Sequence, residues 1–156
     1  MILTTHALVG AAIGKNLNNP GIIIITAFVA HFILDSFRHG EYLDDRYSSA
    51  KEIGFKASVD LAIGFSIILF LIYLKNFSFN IMVNISLGSF FSLFPDLLTI
   101  MYWKFPGKLL GQIKKIHSFA HRYSRFPQYS VERKWTLRNA RNDILFSLLA
   151  IALLLI

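Results

Sequence analysis

Apolar positions run along this chain in long blocks, and the polar positions fall mostly between them. Residues 4–14 form the first block, opened by Thr4 or Thr5 as a helix N-cap. At 1.5 Å per residue this helix is about 17 Å long, short of a hydrocarbon core of about 30 Å. Gly10 and Gly14 stand in GxxxG spacing, which lets a second helix approach closely. Lys15 to Pro20 reads as a turn, with Asn19 as cap and Pro20 at the first helical position. The next block predicts a helix over 20–39, stopped by Gly40. A polar loop follows over 40–55, then a helix over 57–75. Lys75-Asn76-Phe77-Ser78 turns the chain into a helix over 79–102, bent at Pro95. The last helix, 131–156, is basic through Arg141 and apolar from Ile144 onward.

Residues 107–125 have a different pattern. Leu109, Ile113, Ile116, Ala120 and Tyr123 recur at helical spacing, with Lys108, Lys114, Lys115, Arg122 and Arg125 on the other side. Such a helix lies in the plane of a membrane interface. The pattern as a whole predicts an all-α, polytopic membrane bundle forming one domain over 1–156. It would have about four spanning helices, a short N-terminal helix and one interfacial helix.

Composition points the same way. Apolar residues make up 54% of the 156 and charged residues 16%, against roughly 25% charged in soluble domains. Fifteen Phe and the Ile/Leu runs exceed what a soluble core of this size buries. There is no cysteine, which excludes disulfides and Cys-ligated zinc. The N-terminal segment lacks the basic start of a signal peptide and reads as a retained helix.

The net charge of +7 would by itself suit nucleic acid or an anionic membrane. Placement favours the membrane. Of 16 Lys and Arg, all but Lys15 and Lys75 lie in 38–56 and 103–141, which share one side if the helices cross in alternation. The positive-inside rule makes that side cytoplasmic. The basic excess then serves topology and anionic lipid headgroups, and nucleic acid is not the favoured partner.

Alternation also brings His6, Asp35, Asp60 and Asp96 to about one depth, with His31 a turn deeper and His39 a turn shallower. His117 and His121 belong to the interfacial helix above them. Ionised groups inside apolar helices cost about 2.5–3.5 kcal/mol at mid-bilayer and need partners. His31/Asp35 and His117/His121 are i, i+4 pairs, a spacing that lets two side chains share one metal. Plainer readings stand beside this one. Asp60 caps the first turn of its helix, Asp96 satisfies donors freed by Pro95, and His39 is a cation at a helix C-terminus.

Thr5-His6 with Gly10, His31-Phe-Ile-Leu-Asp35, Phe94-Pro95-Asp96-Leu97 and His117-Ser-Phe-Ala-His121-Arg122 resemble the motifs of the YdjM-like membrane-bound metal-dependent hydrolases. That bacterial family is grouped remotely with zinc-dependent phospholipase C. The resemblance implies a helical fold, a hydrolase activity, and a metal centre of His6, His31, Asp35, Asp96, His117 and His121. N/O ligation without sulfur suits Zn²⁺ first, then Mn²⁺ or Fe²⁺. Asp60 is the expected general base or histidine-orienting group, and Arg38 or Arg122 the expected phosphate holder. The expected substrate is a phosphoester, of a lipid, at the cytoplasmic leaflet of a bacterial inner membrane. A non-catalytic scaffold with a structural metal and a small cation or proton transporter are the alternatives.

Overall fold

A computed structural model describes residues 1–40, 49–122 and 134–156, and these form six helices and no strands. They are α1 (Leu3–Asn16), α2 (Pro20–Ser36), α3 (Ala50–Lys75), α4 (Phe79–Lys104), α5 (Lys108–Arg122) and α6 (Leu137–Leu155). Every expected helix is present, with shifted ends. Asn19 caps α2 through its side-chain oxygen, which accepts from Ile22 N at 3.2 Å, and Pro20 follows as expected. α3 begins seven residues before position 57. Ser49 accepts from Glu52 N at 3.2 Å, and Glu52 pairs with Lys56 one turn on at 2.8 Å. Residues 50–55 of the stretch taken for loop are thus the first turns of α3, and 41–48 lie outside the described residues. α2 ends at Ser36, which leaves Arg38 and His39 beyond the helix. α4 continues through Pro95. α6 starts at Leu137, capped by Thr136; positions 123–125 and 131–133 lie outside the described residues.

α1 is the shortest helix and the axis of the bundle, with α2, α3, α4 and α6 packed around it. Ala7, Leu8 and Ala11 are fully buried. Small residues set the closest crossing. A Cβ on Gly10 would strike the Gly88 carbonyl, one on Gly14 the Asn84 carbonyl, and one on Gly88 the Gly10 carbonyl. The GxxxG pair of α1 therefore meets α4, with Gly88 as its counterpart. Ser89 Oγ donates to the Ala7 carbonyl at 3.0 Å and ties the same crossing.

Contacts at the two ends fix the helix directions. At one end the start of α1 meets Asp35 of α2, Asp60 of α3 and Asp143 of α6. At the other, Lys15 Nζ donates to Leu153 O at 3.2 Å and Lys75 Nζ to Leu155 O at 2.5 Å, while Asn84 Nδ2 donates to Leu17 O at 3.3 Å. α1, α3 and α6 therefore run one way, and α2 and α4 the other. The two lysines that break the charge asymmetry cap the carbonyl end of α6, a site that favours cations.

Two helices, α3 and α4, are long and apolar enough to cross a membrane, in place of the four or so expected. α2, with 17 residues, reaches only about 25 Å, and α6 carries Arg138, Arg141 and Asp143 in its first two turns. Burial inside the protein does not account for the apolarity of the long pair. Only 17% of the apolar window of α3 and 28% of that of α4 is buried, and Phe65, Leu69, Phe70 and Leu74 all face outward from α3.

Candidate metal centre

Five segments carry the cluster. His6 comes from the first turns of α1, His31 and Asp35 from the end of α2, His39 from just beyond it, Asp96 from α4 after Pro95, and His117 and His121 from α5. His6, His31, Asp35 and His39 are all at most 1% exposed. The side chains of His121 and Asp96 are 14% and 26% exposed, so the cluster opens to the outside between them.

Asp35 is the hub. Its Oδ2 lies 3.1 Å from His31 Nε2, 3.0 Å from His117 Nε2 and 3.3 Å from His121 Nε2. Its Oδ1 faces His6 Nε2 at 3.2 Å and the Met1 amine at 2.5 Å. Asp96 Oδ1 closes the group, 3.4 Å from His117 Nε2 and 3.9 Å from His31 Nε2. The histidine Nε2 atoms also face one another: His31 to His117 and His117 to His121 are both 3.2 Å apart.

Hydrogen bonds on the outer side of the rings place a proton on Nδ1. His31 Nδ1–H donates to the Ser92 carbonyl at 2.8 Å, because a carbonyl can only accept. Thr99 donates its hydroxyl proton to Pro95 O at 3.0 Å, so His117 Nδ1–H must donate to Thr99 Oγ1 at 2.8 Å. His39 Nδ1–H likewise donates to Phe37 O at 2.7 Å. With Nδ1 protonated, the Nε2 atoms of His31 and His117 turn toward each other and toward two carboxylates, and a ring that is neutral offers a lone pair there. Nitrogen and carboxylate oxygen atoms converging at 3.0–3.4 Å are held together by protons shared between them or by a metal ion. Ligands about 2.05 Å from a tetrahedral ion stand about 3.3 Å apart, so the spacing matches one coordination shell. Burial pushes the His121 ring below the ordinary histidine range, which keeps it neutral and able to ligate.

Three overlapping triads have one ligand atom each within 4.8 Å of one another: His6/His31/Asp96, His31/Asp35/His117 and Asp35/His39/His121. The donor set fits a divalent cation with N/O preference. His6 Nδ1 adds to that fit, since it is fully buried and has no hydrogen-bond partner.

All six expected ligands are therefore brought together. Of the two expected catalytic residues, Asp60 is not placed with them. Asp60 turns to the start of α1, where Oδ2 accepts from Leu3 N at 2.6 Å and Oδ1 from Thr4 N at 3.2 Å and Thr4 Oγ1 at 2.6 Å. It caps α1 from a neighbouring helix rather than its own, and it is absent from all three triads. Arg122 closes α5, but its side chain lies outside the described residues. Arg38 is held by α6: its Nε donates to Asn139 Oδ1 at 2.9 Å, and Asn142 Nδ2 donates to its carbonyl at 2.6 Å.

Two residues of the site go beyond the sequence reading. His39, expected to be a helix-end cation, packs its ring 5.2 Å from that of His121 and joins the third triad. Asp143 accepts from Ile2 N at 3.1 Å and completes the capping of α1. Depth by alternation would have found Asp143, but its surroundings, Arg138 to Asn142, read as topological charge. α5 presents its apolar stripe outward, the face that an interfacial helix gives to lipid. Ala120 and His117 are buried, whereas Leu109 and Ile116 of the apolar stripe are 70% and 56% exposed. The carboxylates draw the histidine face inward, and the apolar flank is left to face outward.

Comparison of the chain with protein-family models, with curated proteins and with solved structures finds no match.

Proposed function

We propose that the protein is a membrane-embedded, metal-dependent hydrolase acting on a lipid phosphoester at the cytoplasmic leaflet of a bacterial inner membrane. One observation carries the metal: the Nε2 atoms of His31 and His117, their rings fixed by Ser92 and Thr99, converge on Asp35 and Asp96. The motif resemblance supplies the hydrolase part. The alternating helices and the one-sided charge support a multi-pass topology in which α2 and α6 also cross, with local thinning of the bilayer around them.

His6, His31, Asp35, Asp96, His117 and His121 would hold the ion, and His39 joins them through Asp35 and His121. A divalent cation there, Zn²⁺ before Mn²⁺ or Fe²⁺, lowers the pKa of its water to about 7 and so supplies hydroxide at neutral pH. Ser92 and Thr99 orient two rings, and the mouth between Asp96 and His121 is where an ester phosphate enters. Arg122, next in sequence after His121, is the proposed phosphate holder. Ala7, Leu8 and Ala11 seal the bundle behind His6, which weighs against a transport path. The second reading is a structural metal, favoured by the way the cluster ties α1, α2, α4 and α5 together.

The test is hydrolysis of lipid phosphoesters by the purified protein, wild type against Asp96→Asn and His117→Ala. Turnover should fall at least about 10²-fold in both variants, with membrane insertion unchanged. A metal-loaded wild type that turns over none of these esters would support the structural reading instead.

A further inference from the structure

Away from the cluster, α4 and α5 meet at an elbow that borders an open cleft of about 950 Å³. Tyr102, in the last turn of α4, forms one wall; Lys108, Lys114, Lys115 and Phe119 line the α5 side. The wall is built, not loose. Tyr102 packs where Gly111 has no side chain, since a Cβ there would come within 3.3 Å of its ring. Lys114 Nζ lies 4.9 Å from the centre of the same ring.

Charge and depth indicate the occupant. The sequence has no acidic residue from 97 to 131, and no carboxylate among the described residues pairs with Lys108, Lys114 or Lys115. Three lysines thus face one cleft without counter-charge. The elbow is also where a long apolar helix ends, with Trp103 and Phe105 exposed beside Lys104. Aromatic and basic residues at the end of a span mark headgroup level. Phe119 and Ile116, both more than half exposed, continue the cleft as an apolar surface. A ligand with an anionic head and an apolar body matches both halves.

We propose that the α4–α5 elbow binds the phosphate headgroup of an anionic phospholipid through Lys108, Lys114 and Lys115, with its chains along Phe119 and Ile116. The site rests on the membrane placement of α4 and not on the hydrolase reading. Such a lipid would hold α5 against the bundle and with it His117 and His121.

The experiment is native mass spectrometry of the full chain released from nanodiscs of equal phosphatidylcholine and phosphatidylglycerol. Wild type should retain phosphatidylglycerol in preference to phosphatidylcholine. Lys108→Gln/Lys114→Gln/Lys115→Gln should lower that preference at least about tenfold. Gly111→Leu, which presses on the Tyr102 wall and keeps every charge, should lower it as well. Lys51→Gln/Arg138→Gln/Arg141→Gln removes the same charge elsewhere and should leave it intact. Equal retention of both lipids by wild type would overturn the proposal, as would undiminished preference in the Lys108 triple variant or in Gly111→Leu. Equal loss in the control triple variant would reduce the effect to net charge and refute the site. Displacement of the lipid by millimolar inorganic phosphate would make the elbow a free-anion site and refute the lipid.

Discussion

Asp60→Asn separates a structural carboxylate from a catalytic one. In the structure both oxygens of Asp60 are engaged by α1: one by Leu3 N at 2.6 Å, the other by Thr4 N at 3.2 Å and Thr4 Oγ1 at 2.6 Å. Asparagine keeps one accepting oxygen and turns an NH₂ toward a backbone N–H. One charge-assisted bond is lost outright, at about 1.5–3 kcal/mol, and the survivors drop to neutral strength. The expected destabilisation is about 2–4 kcal/mol, and 2 kcal/mol is already about a thirtyfold change in equilibrium. The loosened element is the start of α1, which positions His6 against Asp35. The variant should therefore melt at lower temperature and bind metal more weakly. Thermal unfolding in detergent and elemental analysis of one preparation read both. A general base would behave otherwise: stability and metal unchanged, turnover down by about 10²–10⁴-fold. That second pattern would refute the capping role.

At the α1–α4 crossing, Gly88→Ala drives a methyl into the Gly10 carbonyl and should cost about 1–3 kcal/mol or more in thermal unfolding. Gly54→Ala, with nothing within 4 Å of its Cβ, should be neutral or stabilise by up to about 1 kcal/mol. Equal effects would mean the helices do not meet at these glycines. For topology, an impermeant thiol reagent applied to intact cells should label Ser78→Cys and spare Lys51→Cys; the reverse pattern would place the histidines outside.

The helices were legible where a local signal existed. Asn19-Pro20 marked the start of α2, and Lys75-Asn76 the turn before α4. The start of α3 was misplaced because Lys51 and Lys56 look like loop, although Ser49 and Glu52 stand in capping spacing. The ligands on one helix were legible from spacing alone, as with His31 and Asp35. Roles that depend on a neighbouring helix were not. Asp60 looks like the cap of its own helix and caps another. His39 looks like a helix-end cation, and its link to the site depends on where His121 comes to rest.

The claim on which the account depends is that the lone pairs around Asp35 hold a divalent cation. Elemental analysis of protein purified without chelator tests it, wild type beside His31→Ala and Asp35→Ala. Wild type should carry at least one transition-metal ion per chain, and both variants should lose most of it while still inserting in the membrane. Metal-free wild type, or full metal in both variants, would contradict the account.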